Sequence, residues 1–372
     1  MPWNLDRWNG VTQTIQRHVT QNNLPAVSLE IGDRNGPAQS FHAGRDRLTE
    51  GGKPVSEDSL FLTASLTKPI VALALLQFVE QGQIGLTDRV TKFIPEFAGA
   101  GRHAVEIRHL LTHTSGLPDM LPDNQELRMA HASHDVFLQK VCEQSLAFPP
   151  GRAVQYQSMG FVLIAEIVQR LSGQTYSQYL DETIFRPLGM ARTCLGLPPS
   201  WNHGNPSPAD AIVEVAVPLP QQGGADWNWN SAYWRQLGAP WGGLLSTAAD
   251  LGKLCRCLLT HGDAPHKTAL WSPALLAAAT RNQLNGLRDL PEEDRRCKPW
   301  GWGWRLNWPD SATFGDLLSP QAYGHWGATG TLLWIDPDRE IYAVILTNRP
   351  WEDSMSQIVG LSNQLAALWT PE

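Results

Sequence analysis

A serine and a lysine three residues apart form the most reactive combination in the sequence. Ser65 and Lys68 begin a predicted helix over residues 65–81. Because residues three apart lie on one face of a helix, the lysine amine can reach the serine hydroxyl. A serine hydroxyl is a weak nucleophile without a base, and a lysine whose pKa is lowered by burial can accept its proton. The pair predicts acyl transfer through Ser65, although a helix-capping serine followed by a surface lysine gives the same short pattern.

The Ser65–Lys68 pair is a weak signal alone, but two further motifs accompany it in the sequence. The tripeptide Tyr-Gln-Ser at 156–158 follows a Pro-Pro-Gly turn and precedes a predicted helix, and His-Trp-Gly at 325–327 lies at a predicted strand near the C-terminus. With these motifs in this order, the sequence resembles the serine β-lactamase and penicillin-binding-protein superfamily. It is most similar to the class C-like branch, which includes D-Ala-D-Ala peptidases and family VIII esterases.

Framework segments between the motifs extend the resemblance over roughly residues 10–370. They are Leu-Thr-Asp-Arg-Val at 86–90, Leu-Leu-Thr-His-Thr-Ser-Gly-Leu at 110–117, Pro-Leu-Gly-Met at 187–190 and Gly-Gly-Leu-Leu-Ser-Thr at 242–247. Within them, His113 is interpreted as a structural histidine. Trp241, which precedes two glycines, is assigned to the framework and not to an alternative third motif.

The resemblance implies a role for each motif residue. Ser65 would be the acylated nucleophile, and Lys68 and Tyr156 would share the work of general base. Tyr156 would also relay a proton to the leaving group and help to activate the deacylating water. Ser158 would hydrogen-bond Lys68 or the substrate. The oxyanion hole would be formed by the backbone N–H groups of Ser65 and Ala328.

The third motif departs from the lactamase pattern. His325 stands where a lysine would present a fixed cation to a substrate carboxylate, and histidine is mostly neutral near pH 7. Trp326 adds a bulky ring at the cleft wall, and Gly327 completes the substrate-binding strand. Both departures favour an ester or amide hydrolase over a dedicated lactamase. If a charged His325 binds carboxylate-bearing substrates, activity on them should rise as the pH falls from about 8 to about 6.

Several functions remain open at this point. The leading interpretation is a serine hydrolase, a carboxylester hydrolase of the family VIII type with weak β-lactamase activity. The alternatives are a D-amino-acid peptidase or amidase, a β-lactamase, and, from another class, a non-catalytic penicillin-binding-like sensor or scaffold. The partner in the enzymatic cases is a small-molecule ester, amide or lactam. The sequence does not choose between these substrates, and it leaves the oligomeric state open.

The elements that must position these motifs follow from periodicity. Strand patterns lie near both ends and helical patterns lie between them. The predicted helices cover 5–20, 65–81, 107–111, 135–144, 161–171, 176–185, 247–259 and 353–368. The predicted strands cover 26–31, 39–43, 302–307, 322–326, 331–335 and 341–346, and residues 60–62 form a short apolar run.

This order indicates an α+β fold of the β-lactamase/transpeptidase-like type. An antiparallel sheet built from both termini is flanked by helices, and an all-helical subdomain is inserted. Residues 1–62 and 239–372 would form the sheet lobe. Residues 63–238 would form the mainly helical lobe, with a long Trp/Pro/Gly-rich loop at 201–240. The active site is expected in the cleft between the lobes.

Composition removes several classes of function. The 372 residues carry 29 basic and 36 acidic side chains, a net charge of −7, with no basic cluster, so neither nucleic acid nor a membrane is expected as a partner. The five cysteines indicate buried thiols in a reducing compartment, and with no visible signal peptide a cytoplasmic location is expected. No cofactor is predicted. His131, His134 and Asp135 lack an evident further ligand, so no metal site is predicted.

Tryptophan is unusually abundant, with 16 residues against 10 phenylalanines and 6 tyrosines. Eleven of the 16 lie between residues 227 and 334. We expect several of them to line the substrate pocket, with Trp326 and the 227–241 segment as the best candidates. About half are expected to serve ordinary packing.

Overall fold

The computed structural model of the protein describes residues 3–262, 269–308 and 313–370, with α-helices and β-strands as follows. The helices are α1 (Trp8–Thr20), α2 (Thr67–Glu80), α3 (Ile107–Leu111), α4 (Asn124–Met129), α5 (His134–Glu143), α6 (Met159–Ser172), α7 (Tyr176–Leu180), α8 (Ala232–Leu237), α9 (Ala248–Leu259), α10 (Pro273–Ala279), α11 (Glu292–Cys297) and α12 (Trp351–Ala366). The strands are β1 (Ala26–Asp33), β2 (Gly36–Gly44), β3 (Phe61–Leu62), β4 (Cys194–Leu195), β5 (Leu244–Ser246), β6 (Arg305–Leu306), β7 (Tyr323–Gly327), β8 (Thr331–Asp336) and β9 (Ile341–Thr347).

The main sheet is antiparallel and joins the two ends of the chain. Its six strands are ordered β2-β1-β9-β8-β7-β6, so that β1 lies directly beside β9. The register pairs Val27 with Thr347 and Asp33 with Ile341. All residues of β1, β8 and β9 are buried, because helices cover both faces of the sheet. The predicted α+β class and the sheet built from both termini are confirmed.

Alternation along the strands divides the core between the two faces of the sheet. On one face, Ile345 of β9 packs in a cluster with Ile15 of α1 and Leu361 of α12. On the other face, Val344 joins the cluster that contains Leu251 of α9. The terminal helices and α9 therefore enclose the sheet.

Helix α2, which carries the candidate lysine, lies at the centre of the remaining helices. Twelve of its fourteen residues are buried, and it contacts α6 along its length. A helix that is apolar all round must be surrounded by protein. This burial places Lys68 in a low-dielectric environment from the outset.

A small second sheet crosses the boundary between the predicted lobes. Its order is β3-β5-β4, so β4, from the predicted helical lobe, is hydrogen-bonded to β5, from the predicted sheet lobe. The division into residues 1–62 with 239–372 and residues 63–238 stays a prediction.

Four short helices were not predicted from periodicity. They are α4, α10 and α11, together with α8 inside the predicted 201–240 loop. Two of them carry capping signals in the sequence. Ser231 caps α8, which ends at Gly238 in the left-handed conformation, and Ser272 caps α10, which begins with Pro273. The period is weak in helices of six or seven residues, so caps are the better guide here.

The predicted strand at 302–307 is shorter than expected. Only Arg305–Leu306 pairs with β7, because Gly303 has a φ of +78°. Its N–H donates to the carbonyl of Leu111. A Cβ at Gly303 would lie 2.4 Å from the Cβ of Ala72, so the glycine allows this segment to approach α2 closely.

Candidate active site

Ser65 lies in a single turn of 3-10 helix, Ala64–Leu66, that leads into α2. The preceding residue, Ala64, has a φ of +47°, a left-handed conformation that is strained for a residue with a side chain. The main sheet anchors this turn, since the hydroxyl of Thr331 donates to the carbonyl oxygen of Thr63 at 2.8 Å. The sheet therefore fixes the direction in which Ser65 projects.

Lys68 makes the contact that the motif spacing predicts. Its side chain is fully buried, and Nζ donates to Ser65 Oγ at 2.9 Å and to the carbonyl oxygen of Trp241 at 2.8 Å. Burial lowers the pKa of Lys68 to about 7, and the charge of Asp119 opposes this shift. A substantial fraction of the amine is therefore neutral near pH 7 and able to accept the proton of Ser65.

Tyr156 closes the other side of this pair. Lys68 Nζ lies 4.9 Å from the centre of its ring, and the hydroxyl is buried. Burial raises the pKa of Tyr156 well above its ordinary value, which the neighbouring Ser65 hydroxyl only partly offsets. The contact with Ser65 is not a hydrogen bond of standard geometry. Tyr156 is thus a protonated phenol in the resting site, whereas Lys68 is the group poised to act as a base.

His113 supports Tyr156 from behind. Its ring stacks on Tyr156 with 4.7 Å between centroids and lies 4.2 Å from the ring of Trp300. Its Nδ1 accepts the backbone N–H of Gln157 at 3.1 Å. Burial, followed by the charge of Lys68, lowers the pKa of His113 well below its ordinary value. These contacts agree with the structural role expected for this histidine.

Ser158 does not make the expected hydrogen bond to Lys68. Its hydroxyl donates instead to Asp119 Oδ1 at 2.6 Å, and its N–H donates to the Asp119 carbonyl oxygen at 3.2 Å. The loop between α3 and α4 brings Asp119 to this position. A carboxylate is the stronger acceptor for a hydroxyl. The alternative role of Ser158, contact with substrate, stays a prediction.

His325 is held away from solvent. Its ring is fully buried and stacks on Trp326 with an interplanar angle of 12°, and its Nδ1 bonds the carbonyl oxygen of Trp326 at 2.7 Å. Burial, reinforced by the charge of Lys68, lowers the pKa of His325 well below its ordinary value. Burial therefore favours the neutral imidazole. The rise in activity that a charged His325 would cause as the pH falls from about 8 to about 6 is not expected.

Gly327 explains why the third motif ends in glycine. A Cβ at this position would lie 2.2 Å from Thr331 Oγ1 and 2.3 Å from the carbonyl oxygen of Thr63. Only glycine therefore allows β7 to approach the turn that carries Ser65. Ala328 follows directly and is exposed, with no described acceptor for its N–H. Its role in the oxyanion hole, together with the N–H of Ser65, stays a prediction.

Three contributors to this region were not identified from the sequence. The first two are the Trp241 carbonyl and the Asp119 carboxylate described above. The third is Arg305 on β6, which is 6% exposed and lies with Cζ 4.9 Å from the ring centre of Trp326. Burial lowers the pKa of Arg305 to about 9. The position of Asp119 in the Thr-Ser-Gly-Leu-Pro-Asp run is the one signal that could have indicated its place beside the site.

Three of the tryptophans proposed for the pocket have different surroundings. Trp326 is half-buried and its ring lies 5.3 Å from that of Tyr156, so it stays a candidate for the pocket wall. Trp227 and Trp234 are buried, and their rings enclose the guanidinium of Arg128, whose Cζ lies 4.3 Å from the ring centre of Trp234. These two tryptophans of the 227–241 segment pack internally instead of facing a pocket.

The remaining candidates give no further site. Within residues 3–262, 269–308 and 313–370, no three His, Cys, Asp or Glu side chains gather in a way that could hold a metal ion. His131 instead stacks on Tyr233, and His134 packs against Tyr176 with the two rings tilted by 49°. The five cysteines form no disulfide. In the described part of the chain, no helix has the length and apolar character that a membrane span requires.

Comparisons with known proteins agree with this geometry. A model of the Beta-lactamase family matches residues 11–359. This chain belongs to the Beta-lactamase family. Among curated proteins, it is 30% identical to esterase EstB from Burkholderia gladioli over 82% of this chain and 81% of that protein. It is 28% identical to penicillin-binding protein 4 from Amycolatopsis lactamdurans over 94% of this chain and 86% of that protein.

Solved structures show the same fold. A penicillin-binding protein homologue from Caulobacter crescentus aligns with a TM-score of 0.78 at 24% identity, covering 97% of each chain. A class C β-lactamase aligns with a TM-score of 0.76 at 18% identity, covering 99% of this chain and 98% of the other. The family match and the curated relatives make the chain a serine hydrolase.

Proposed function

We propose that this protein is a carboxylester hydrolase that forms an acyl-enzyme on Ser65. The observation that carries the proposal is the buried Lys68, whose Nζ lies 2.9 Å from Ser65 Oγ and whose pKa is lowered to about 7. An amine in this state can take the serine proton as the nucleophile attacks. The 30% identity to esterase EstB favours esters as the substrate class.

In the proposed acylation step, Ser65, Lys68, Tyr156 and the oxyanion-hole N–H groups each have a defined role. Ser65 Oγ bonds to the substrate carbonyl carbon while its proton moves to Lys68. The N–H groups of Ser65 and Ala328 stabilise the negative oxygen of the tetrahedral intermediate. Tyr156, protonated at rest, donates to the departing alkoxide and is reprotonated from Lys68. Water then attacks the acyl carbon and gives a proton to Lys68, and the ester bond to Ser65 Oγ breaks to release the acid. Lys68 and Tyr156 pass the proton from water to Ser65 Oγ.

The third motif supports esters over carboxylate-bearing lactams. His325 is buried and neutral, so β7 presents no histidine cation to a penicillin carboxylate. The adjacent wall is formed by the aromatic Trp326. A neutral, apolar acyl group fits this wall better than an anionic group does. A D-amino-acid peptidase or amidase is the second candidate, supported by the similarity to penicillin-binding protein 4.

A variant of the nucleophile tests the acyl-enzyme. Ser65→Ala should lower kcat/KM for p-nitrophenyl butyrate by at least about 10³-fold, because the covalent route is lost. Ser133→Ala, at an exposed position without a side-chain capping bond, should match the wild type. Mass spectrometry after fluorophosphonate treatment should find one adduct, on Ser65. Hydrolysis at the wild-type rate by Ser65→Ala, or an adduct on another residue, would refute the proposal.

A substrate panel tests the ester assignment separately. At equal enzyme concentration, short p-nitrophenyl esters should give a higher kcat/KM than nitrocefin or D-alanyl peptides. A higher value for the D-alanyl peptides would replace the esterase by the peptidase, and a higher value for nitrocefin would replace it by a β-lactamase.

A further inference from the structure

Asp119 brings an exposed carboxylate to the second motif, beside Lys68 and Tyr156. The residue is exposed, whereas Lys68 and the Tyr156 hydroxyl are buried. One carboxylate oxygen accepts the Ser158 hydroxyl at 2.6 Å, and the Asp119 carbonyl accepts the Ser158 N–H. These two bonds attach Asp119 to the second motif and fix the position of its charge.

This charge has no ionic partner in the described ranges 3–262, 269–308 and 313–370. No Lys, Arg or His nitrogen there lies within 4.0 Å of the Asp119 carboxylate. By contrast, Asp123, four residues further along the same loop, has Lys140 Nζ at 3.9 Å. An exposed carboxylate without a counter-ion attracts cations and repels anions that come close to it.

The field of Asp119 reaches the reacting groups. Its charge stabilises the protonated forms of both Lys68 and Tyr156, the two side chains on either side of Ser65. The other charged or titratable groups that act on this pair are Arg305, His113 and His325, and both histidines are neutral because they are buried. A substrate bound at Ser65, between these two side chains, therefore also experiences the charge of Asp119.

We propose that Asp119, fixed by Ser158, is a specificity-determining residue that selects uncharged and ammonium-bearing acyl substrates and disfavours carboxylate-bearing ones. The inference rests on the proposed ester hydrolysis and adds its substrate class. It assigns to Ser158 the role of holding the selecting charge. It also gives a second reason, independent of His325, for weak activity on penicillins.

Three p-nitrophenyl esters of similar chain length provide the test. Their acyl groups are hexanoyl, which is neutral, 6-(trimethylammonio)hexanoyl, which is cationic, and 5-carboxypentanoyl, which is anionic. The third ester is the p-nitrophenyl half-ester of adipic acid. Each is measured with the wild type and with Asp119→Asn, which keeps an oxygen acceptor for Ser158. Each ester is compared between the two enzymes, so differences in intrinsic reactivity among the esters do not affect the result. The neutral hexanoyl ester shows whether Asp119→Asn changes the rate of the reaction for reasons other than substrate charge.

The wild type should prefer the cationic ester over the anionic one. Asp119→Asn should reduce the ratio of their kcat/KM values by about tenfold, because it removes a charge that favours the cationic ester and disfavours the anionic one. Asp123→Asn should leave the ratio unchanged. Raising the ionic strength should reduce the wild-type ratio, because salt screens an exposed charge.

The outcomes separate this inference from the proposed function. A ratio that agrees within twofold between the wild type and Asp119→Asn, with hexanoyl hydrolysis still dependent on Ser65, overturns the role of Asp119 and leaves the esterase intact. Absence of hydrolysis of all three esters overturns both. Ser65 labelling by fluorophosphonates that carry an ammonium or a carboxylate gives a second measurement of the same preference, with the same expected shift.

Discussion

At the scale of single residues, the chemistry depends on one proton equilibrium. Lys68 must be neutral to accept the proton of Ser65, and burial brings its pKa to about 7. Asp119 acts in the opposite direction by favouring the charged amine. The site therefore balances desolvation against a nearby negative charge.

The pH profile of ester hydrolysis reports this balance. We expect kcat/KM for a neutral p-nitrophenyl ester to rise with pH through a midpoint near 7, as Lys68 loses its proton. Asp119→Asn should move the midpoint to lower pH, because it removes a charge that favours protonation. Asp123→Asn should leave the midpoint in place. A midpoint that is unchanged, or is raised, in Asp119→Asn would contradict the assignment in which Lys68 titrates under the influence of Asp119.

Removal of the Tyr156 hydroxyl tests whether Tyr156 acts as an acid or as a base. Because burial keeps Tyr156 protonated, we expect it to donate to the leaving group. Tyr156→Phe should then lower kcat/KM by about 10²-fold or more for an ethyl ester, whose alkoxide needs a proton. The loss should be clearly smaller for the matching p-nitrophenyl ester, whose leaving group departs without one. Equal losses for the two esters would instead indicate that Tyr156 acts as the base.

At the scale of elements, the packing of α9 against the main sheet encloses a second titratable group. Glu30 of β1 is 6% exposed and accepts the hydroxyl of Tyr342 at 2.8 Å. A Cβ at Gly252 of α9 would lie 1.8 Å from the Glu30 carboxylate oxygen, so the glycine makes room for it. Burial raises the pKa of Glu30 to about 7.

This carboxylate should make stability depend on pH. In the unfolded chain Glu30 loses its proton near pH 4.5, whereas in the fold it does so near pH 7. The free energy of unfolding should therefore decrease between these values, by up to about 3 kcal/mol. Glu30→Gln should flatten this part of the curve and make the protein more stable than the wild type at pH 8. Urea unfolding at pH 5, 6, 7 and 8 measures the difference, and parallel curves for the two proteins would contradict the prediction.

At the scale of the whole molecule, the two ends of the chain hold each other in place. Strand β1 lies between β2 and β9, and the terminal helices α1 and α12 pack together over one face of the sheet. The nitrogen of the Trp334 indole donates to the hydroxyl of Ser362 across this interface at 2.8 Å. The last helix therefore completes the layer that supports β8, and β8 leads from the turn that follows the third motif.

A substitution that creates a cavity under α12 tests how much this helix contributes to the stability of the fold. Leu361 of α12 is fully buried, so Leu361→Ala should lower the free energy of unfolding by about 2–5 kcal/mol. Met355, on the same helix, is 50% exposed, and Met355→Ala should change it by less than about 0.5 kcal/mol. Chemical denaturation gives both values. Equal effects of the two variants would show that α12 contributes little to the core.

The sequence predicted the parts of this protein that depend on local spacing. The 65–68 spacing placed the amine beside the hydroxyl, as the 2.9 Å contact shows. The periodic patterns predicted the long helices and the main strands, and the resemblance indicated the family. Short helices such as α8 and α10 were not predicted, because the hydrophobic period is weak over six or seven residues.

Only the tertiary structure decided the electrostatics of the site. The lowered pKa of Lys68, the buried and neutral His325 and the protonated Tyr156 all follow from burial, which depends on residues far along the chain. The Trp241 carbonyl reaches Lys68 across 173 positions, and Asp119 reaches Ser158 across 39. Local patterns specify which groups neighbouring residues can bring together. The protonation state of those groups is set by the surrounding atoms, and these are assembled only when the whole chain folds.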